Sequence, residues 1–389
     1  MSYATVPYAT LPYATLPPYP TPVRKVGAPL VAIIALGTVA GLILSLLTAA
    51  NPAGAALGFV PATLATALVL MCYLWLDRWE PEPPRLLVLA FLWGASVAVV
   101  LSVALEHLIE SAVAAGRQQT SFFTVAVGAP IVEEATKGLF LLIMMTGRRR
   151  NELNTLTDCL VYAGITAAGF AWLENIFYIA GAETPAASLA IAGLRLGLSP
   201  FAHPLFTTMF GIGVYFALQR RSAVGKLACL AIGYAAAVLL HGLWNGSALL
   251  GAGTYLGVYV VWMMPIFGLS IALAVASRRR EQRIVAAKLP GMVAAGLITP
   301  AEATWLGSFP TRKLAVQTAV RGGGTPAGSA VKRFASQVVE LAYVRDRIDR
   351  GFGDERVFAL QNEEVHAVAA ARAAAAPVLS RLGWYRVAP

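Results

Sequence analysis

Residues 28–50 read APLVAIIALGTVAGLILSLLTAA, twenty-three positions without one charged side chain. A helix rising 1.5 Å per residue covers about 34 Å over such a run, enough to cross a hydrocarbon core about 30 Å thick. Seven further apolar runs follow, at about 54–76, 86–105, 122–145, 158–180, 201–219, 227–250 and 254–276. The runs are continuous Leu, Ala and Val, not the short alternating segments of a transmembrane barrel, so only helices satisfy their backbone polar groups in lipid. Composition agrees: 58% of the 389 residues are hydrophobic, 13% are charged, and the mean hydropathy is +0.67. A soluble domain is about a quarter charged, so a soluble enzyme is excluded. The expectation is an all-α polytopic membrane helix bundle of about eight transmembrane helices, over 28–276. The weaker apolar stretch from Ala186 to Leu198 is too short to span and stops at Ser199-Pro200, so it reads as an interfacial or re-entrant segment.

Both flanks differ from the bundle. Residues 1–27 contain three repeats, Tyr3 to Pro7, Tyr8 to Pro12 and Tyr13 to Pro17. Proline at every fifth place blocks helix and sheet ladders, and the expectation is a disordered, extended arm. It does not read as a signal peptide, because no basic segment precedes its first apolar stretch. From residue 277 the chain turns basic and Ala-rich, with 17 Lys/Arg against 9 Asp/Glu. Val331–Asp349 and Glu355–Leu382 read as helices, set off by Arg321-Gly-Gly-Gly-Thr-Pro326. This makes 277–389 a helical cytoplasmic tail that can adhere to anionic lipid. No nucleic-acid-binding motif accompanies the charge.

Loop charge orients the bundle. With the N-terminus inside, thirteen Lys/Arg of the short loops fall on the cytoplasmic side and two, Arg117 and Arg195, on the other. The positive-inside bias therefore predicts a multi-pass protein of the plasma (inner) membrane with both termini cytoplasmic. Cys72, Cys159 and Cys229 are far apart, show no CxxC, and read as packing residues. His107 and His366 read as surface histidines.

The chemistry lies in charges that interrupt the spans, each costly in hydrocarbon unless paired or hydrated. The fourth span carries Glu133-Glu134-Ala-Thr-Lys137; the lysine, three and four residues on, can neutralise one carboxylate along the helix. The fifth supplies Phe170-Ala-Trp-Leu-Glu174-Asn175, the sixth opens on His203-Pro204, and the seventh carries His241-Gly-Leu-Trp-Asn245. With 1.5 Å per residue, Glu133 lies about 17 Å, Glu174 about 9 Å and His241 about 14 Å from the outer ends of their spans, and His203 lies near the entrance. All four helices can therefore deliver their groups to one wet pocket in the outer half of the bilayer. Such a set suits hydrolysis without a nucleophilic Ser or Cys: a carboxylate takes a proton from water, a histidine assists, and Asn245 stabilises an oxyanion.

Taken together and in order, EEATK (133–137), FAWLEN (170–175), His203 and HGLWN (241–245) resemble the PrsW family of intramembrane proteases, within the superfamily of CaaX prenyl proteases and bacteriocin-processing proteins. Asp77-Arg-Trp-Glu-Pro-Glu-Pro83 and Asp158-Cys-Leu-Val-Tyr-Ala-Gly164 add to the likeness, which covers about 28–280 and neither flank. The resemblance implies a hydrolase, glutamic-type or metalloprotease-like, whose relatives act on an anti-sigma factor, a membrane-protein substrate. It also implies the site: Glu133 or Glu134 activates water, Glu174, His203 and His241 line the pocket, and Asn245 donates. Where the CaaX relatives carry His, this chain has Glu174, which follows the PrsW pattern. The pocket could ligate Zn²⁺ through Glu134, Glu174, His203 and His241, yet HExxH is absent and spacing alone does not give a metal site. The rival readings are a proton-coupled transporter or channel, which would bury the same residue types but usually shows internal repeats, and a non-catalytic membrane scaffold. No second EExxK-like half is present.

Overall fold

The computed structural model describes residues 29–79, 81–113 and 122–382, and every regular element among them is helical. They form two units, Gly27–Val275 and the residues from Ala276 onward. The Tyr/Pro-rich arm expected at 1–27 lies outside the described residues.

Seven helical stretches of the described chain are long and apolar enough to cross a membrane: Leu30–Ala50, Pro52–Leu76, Pro84–Ser111, Leu156–Ala180, Pro185–Leu218, Ala223–Leu249 and Ala252–Ala294. We name α1 (Leu30–Ala50), α2 (Pro52–Leu76), α3 (84–113), α4 (122–144), α5 (Leu156–Ala180), α6 (185–198), α7 (Ala202–Leu218), α8 (Ala223–Leu249) and α9 (252–294). Helix α4 is the expected fourth span, but Glu133, Glu134 and Lys137 make it too charged to qualify by composition. All three are buried, so protein surrounds the face that lipid could not. The 186–198 stretch forms the short helix α6, which ends at Ser199 (φ −129°, ψ 42°) before α7 starts at Ala202.

Helix α5 is the central post. Its hydrophobicity shows no amphipathic stripe because nearly every face is buried, from Leu156 to Ala180. It starts where it does because Thr155 Oγ1 accepts from the Asp158 N–H (3.2 Å) while Asp158 Oδ2 accepts from the Thr155 N–H (2.7 Å), a reciprocal cap. Asp158 is thus a capping residue. Near the same end Tyr162 donates to Glu82 (2.7 Å), and Asp77 accepts from the Glu82 backbone, so the Asp77–Pro83 segment anchors the entry to α3.

Helices α3 and α5 cross backbone to backbone. A Cβ on Gly94 would lie 1.9 Å from the Thr166 carbonyl oxygen, and one on Gly169 would lie 2.0 Å from that of Phe91. No side-chain rotation relieves contact with backbone, so Gly169→Val should force the helices apart directly before Phe170. The expected outcome is a several-degree fall in the detergent melting temperature and a smaller monodisperse fraction on size exclusion.

A π turn over Thr124–Gly128 precedes the charged part of α4. Pro130 has no N–H to return to the Ala126 carbonyl, which frees that oxygen. Helix α8 approaches there through Gly242, whose Cβ would lie 2.5 Å from Ala126 O. The missing side chain lets α8 bring His241 and Asn245 onto α4.

In the second unit α10 (Pro300–Leu306) begins with a Thr299/Glu302 capping box. Helix α11 runs Phe309–Arg347 and α12 runs Glu355–Leu382, with Val344, Ile348, Val357 and Leu360 forming a core at their junction. The glycine run expected to set off the segments does so: the 309–347 range consists of two helical segments that meet at a kink, with Gly324 at φ 73°. Helix α9 passes the expected end at 276 and continues to Ala294, because Arg278–Ala287 offers good helix formers and neither Gly nor Pro. His107 is exposed, but His366 is buried, contrary to expectation, on the inward stripe of α12 with Val365 and Val368.

Candidate active site

Three of the charged groups come from one turn of α4. Lys137 Nζ donates to Glu134 Oε1 (2.8 Å) and to Glu133 Oε2 (3.2 Å). It also meets His203 Nδ1 from α7 at 3.1 Å. The ammonium has three protons and no acceptor, so each of these contacts uses one and His203 Nδ1 must be the acceptor. Phe170 closes the remaining side, with Nζ 4.1 Å above its ring centroid. Lys137 is 0% exposed, which is tolerable because two carboxylates and a π face replace its water.

The two carboxylates differ. Glu134 is saturated: Oε1 accepts from Lys137 and meets His241 Nδ1 (3.0 Å), and Oε2 accepts from Thr207 Oγ1 (2.7 Å). A carboxylate only accepts, so His241 carries a proton on Nδ1, and its Nε2 faces Glu133 Oε2, 3.9 Å away. Phe206 stacks on the His241 ring at 4.7 Å and 20°, fixing its plane. Glu133 is the carboxylate with spare capacity: Lys137, His203 and His241 all meet Oε2, with His203 Nδ1 at 3.8 Å, and Oε1 has no hydrogen-bond or ion-pair partner among the described residues.

Glu174 of α5 completes the set. Its Oε2 accepts from His203 Nε2 (2.7 Å) and pairs with Arg195 Nη2 of α6. Arg195 Nε also donates to Asn175 Oδ1 (2.6 Å), and its guanidinium lies over the Tyr178 ring at 4.1 Å. The structure therefore brings Glu133, Glu134, Glu174, His203 and His241 into one connected cluster. Asn245 stands one turn beyond His241, with Nδ2 donating to Val125 O (3.2 Å) at the π turn of α4, which leaves one amide proton uncommitted.

Several members carry no signal in the sequence. Thr207 and Phe206 are ordinary residues for an apolar helix, and only the packing of α7 on α4 and α8 gives them work. Glu106 carries none either: it stands just past the third apolar run, with Glu110 four residues on. Ser102, one turn before it, meets Thr136 at 2.9 Å, which sets the antiparallel α3 and α4 in register and puts Glu106 near the level of Glu133. It interacts electrostatically with Glu174, Glu133 and Lys137.

Donor chemistry alone admits a divalent ion. Glu133, His203 and His241 offer ligand atoms all within 4.8 Å of one another, each histidine is backed by a carboxylate, and His₂Glu is a known zinc set. The Lys137 ammonium, however, already sits on Glu133 Oε2 and His203 Nδ1. A cation and an ammonium cannot share His203 Nδ1, and His203 Nε2 is held by Glu174, so as arranged only Glu133 and His241 stand open, too few ligands to fit a zinc ion.

Residues 82–270 match the model of the PrsW family intramembrane metalloprotease. Among curated proteins, Protease PrsW of Geobacillus kaustophilus is 26% identical over 207 residues, covering 52% of this chain and 85% of the relative. Protease PrsW of Bacillus subtilis is 26% identical over 208 residues, 53% of this chain and 87% of the relative. Protease PrsW of Clostridioides difficile is 28% identical over 151 residues, 38% of this chain and 62% of the relative. No solved structure matches. The matched region holds every residue of the cluster and excludes α1, α2 and the second unit.

Proposed function

Taking residues 82–270 as a PrsW-family intramembrane protease region, we propose that this protein hydrolyses a peptide bond of a membrane-protein substrate with water activated by Glu133. The observation that carries this reading is the division of labour between adjacent carboxylates: Glu134 is saturated by Lys137, His241 and Thr207, whereas Glu133 keeps Oε1 uncommitted.

The steps follow from the donors and acceptors. A water held between Glu133 Oε1 and His241 Nε2 gives its proton to the carboxylate as its oxygen attacks the peptide carbonyl. The second Asn245 amide proton supplies a hydrogen bond to the developing oxyanion. Collapse of the tetrahedral intermediate breaks the C–N bond, and Glu133 returns its proton to the leaving amine. Lys137 balances the two α4 carboxylates throughout. Glu174 holds His203 so that its Nδ1 faces the lysine.

The substrate class in this reading is a single-span membrane protein of the anti-sigma-factor kind, as the family resemblance implies. Both termini lie in the cytoplasm, in keeping with the loop charges. The test compares membrane proteomes of cells expressing the wild type and Glu133→Gln. Fragments released from single-span proteins with the wild type alone, and unaffected by a chelator, are the expected result. Identical proteomes from two folded, abundant proteins would overturn the reading and favour a transporter or scaffold.

A further inference from the structure

Arg195 comes from α6, outside the four motif helices, yet it reaches the same oxygen, Glu174 Oε2, that accepts from His203 Nε2. Two more contacts fix its fork: Nε on Asn175 Oδ1 at 2.6 Å and the guanidinium over Tyr178 at 4.1 Å. Glu174 is thereby clamped on one side by a cation and on the other by an imidazole. Lys137 donates to Nδ1, so the ring's proton sits on Nε2 and depends on Glu174 to accept it.

We propose that Arg195 is a positioning residue that fixes the tautomer of His203 through Glu174. The inference rests on the peptidase reading for its effect on rate, but its structural half stands apart from it. With Arg195 present, Glu174 stays a carboxylate aimed at Nε2, and a carboxylate can only accept. Without it, the carboxylate lies half-buried with no cation in contact and either takes up a proton or turns to water. In both cases Nε2–H loses its acceptor and the ring is free to turn or to shift its proton to Nδ1. A proton on Nδ1 would oppose the Lys137 ammonium, donor against donor, and disturb the lysine that balances Glu133. Arg195→Lys keeps the charge but cannot grip Glu174 and Asn175 together.

The chain has four histidines, His107, His203, His241 and His366, so uniform ¹⁵N-histidine labelling in detergent yields a short, assignable set of imidazole signals, with His203→Gln as the assignment control. The wild type should show His203 as the Nε2–H tautomer. Arg195→Gln should lose that pattern while His241 keeps its Nδ1–H signal, and Arg195→Lys should retain it in part. In the cleavage assay on a substrate from the proteome comparison, Arg195→Gln should lower kcat at least tenfold with KM within twofold, and Arg195→Lys should recover part of the loss. An unchanged His203 pattern in Arg195→Gln overturns the proposal whatever the assay gives. A changed pattern with kcat unaffected overturns its catalytic half, and loss of the His241 signal as well would show general unfolding and reject a specific positioning role. If wild type and Glu133→Gln are equally inactive, the peptidase reading fails, and the tautomer result still decides the structural half.

Discussion

Glu133→Gln should lower cleavage by about 10²–10⁴-fold, the usual worth of a positioned general base, and leave the folded protein intact. The amide keeps an oxygen for Lys137 at the place where Glu133 Oε2 accepts now. Glu134→Gln should behave differently although it sits next door. Glu134 accepts three donors, from Lys137, His241 and Thr207, at a position 0% exposed. An amide can keep its oxygen on Lys137 and His241 only by turning its NH₂ to Thr207, whose hydroxyl must reverse and accept, and the buried lysine loses its nearer counter-charge, so this change should cost activity and stability together. Cleavage and detergent melting temperature measured on both variants separate the roles. Equal melting temperatures with equal loss of cleavage would remove the distinction drawn between the carboxylates.

The second large effect is on folding. Lys137→Met should leave Glu133 and Glu134 adjacent, buried and without their common cation. Removing one member of a buried ionic cluster costs about 3–5 kcal/mol, which is of the order of the whole stability of many domains. Little monodisperse protein is expected from Lys137→Met. Combining it with Glu134→Gln should restore part of the yield, because one uncompensated charge goes with the lysine, and the non-additivity of that cycle measures the coupling. Wild-type yield from Lys137→Met alone would show that the cluster is hydrated and not held by its ion pairs.

Much of the fold is legible in the sequence because lipid leaves few options: a charge-free run of twenty residues has to be a helix, and Leu30–Ala50 is one. The grouping of Glu133, Lys137, Glu174, His203 and His241 is legible for the same reason, since an ionisable residue in such a run needs company. What the sequence hides is assignment within the group. Glu133 and Glu134 are indistinguishable as letters, and only Thr207 and His241, brought by other helices, tell them apart. Arg195 reads equally well as an interfacial anchor until its partners on α5 are seen. The extension of α9 to Ala294 was hidden because a change from apolar to basic composition marks a membrane border, not a helix end. The break at Gly324 is legible, since three successive glycines lower helix propensity and one of them takes the positive φ that interrupts the helix.

The cluster is assembled from helices that leave the ribosome in order, and the one bringing His241 comes last of the four. A partly synthesised chain can already pair Glu133 and Glu134 with the lysine one turn away, so one of the two acids enters the bilayer neutralised. It still lacks the ring that sets the water beside Glu133. On the peptidase reading, hydrolytic competence would therefore arrive only when α8 docks through Gly242.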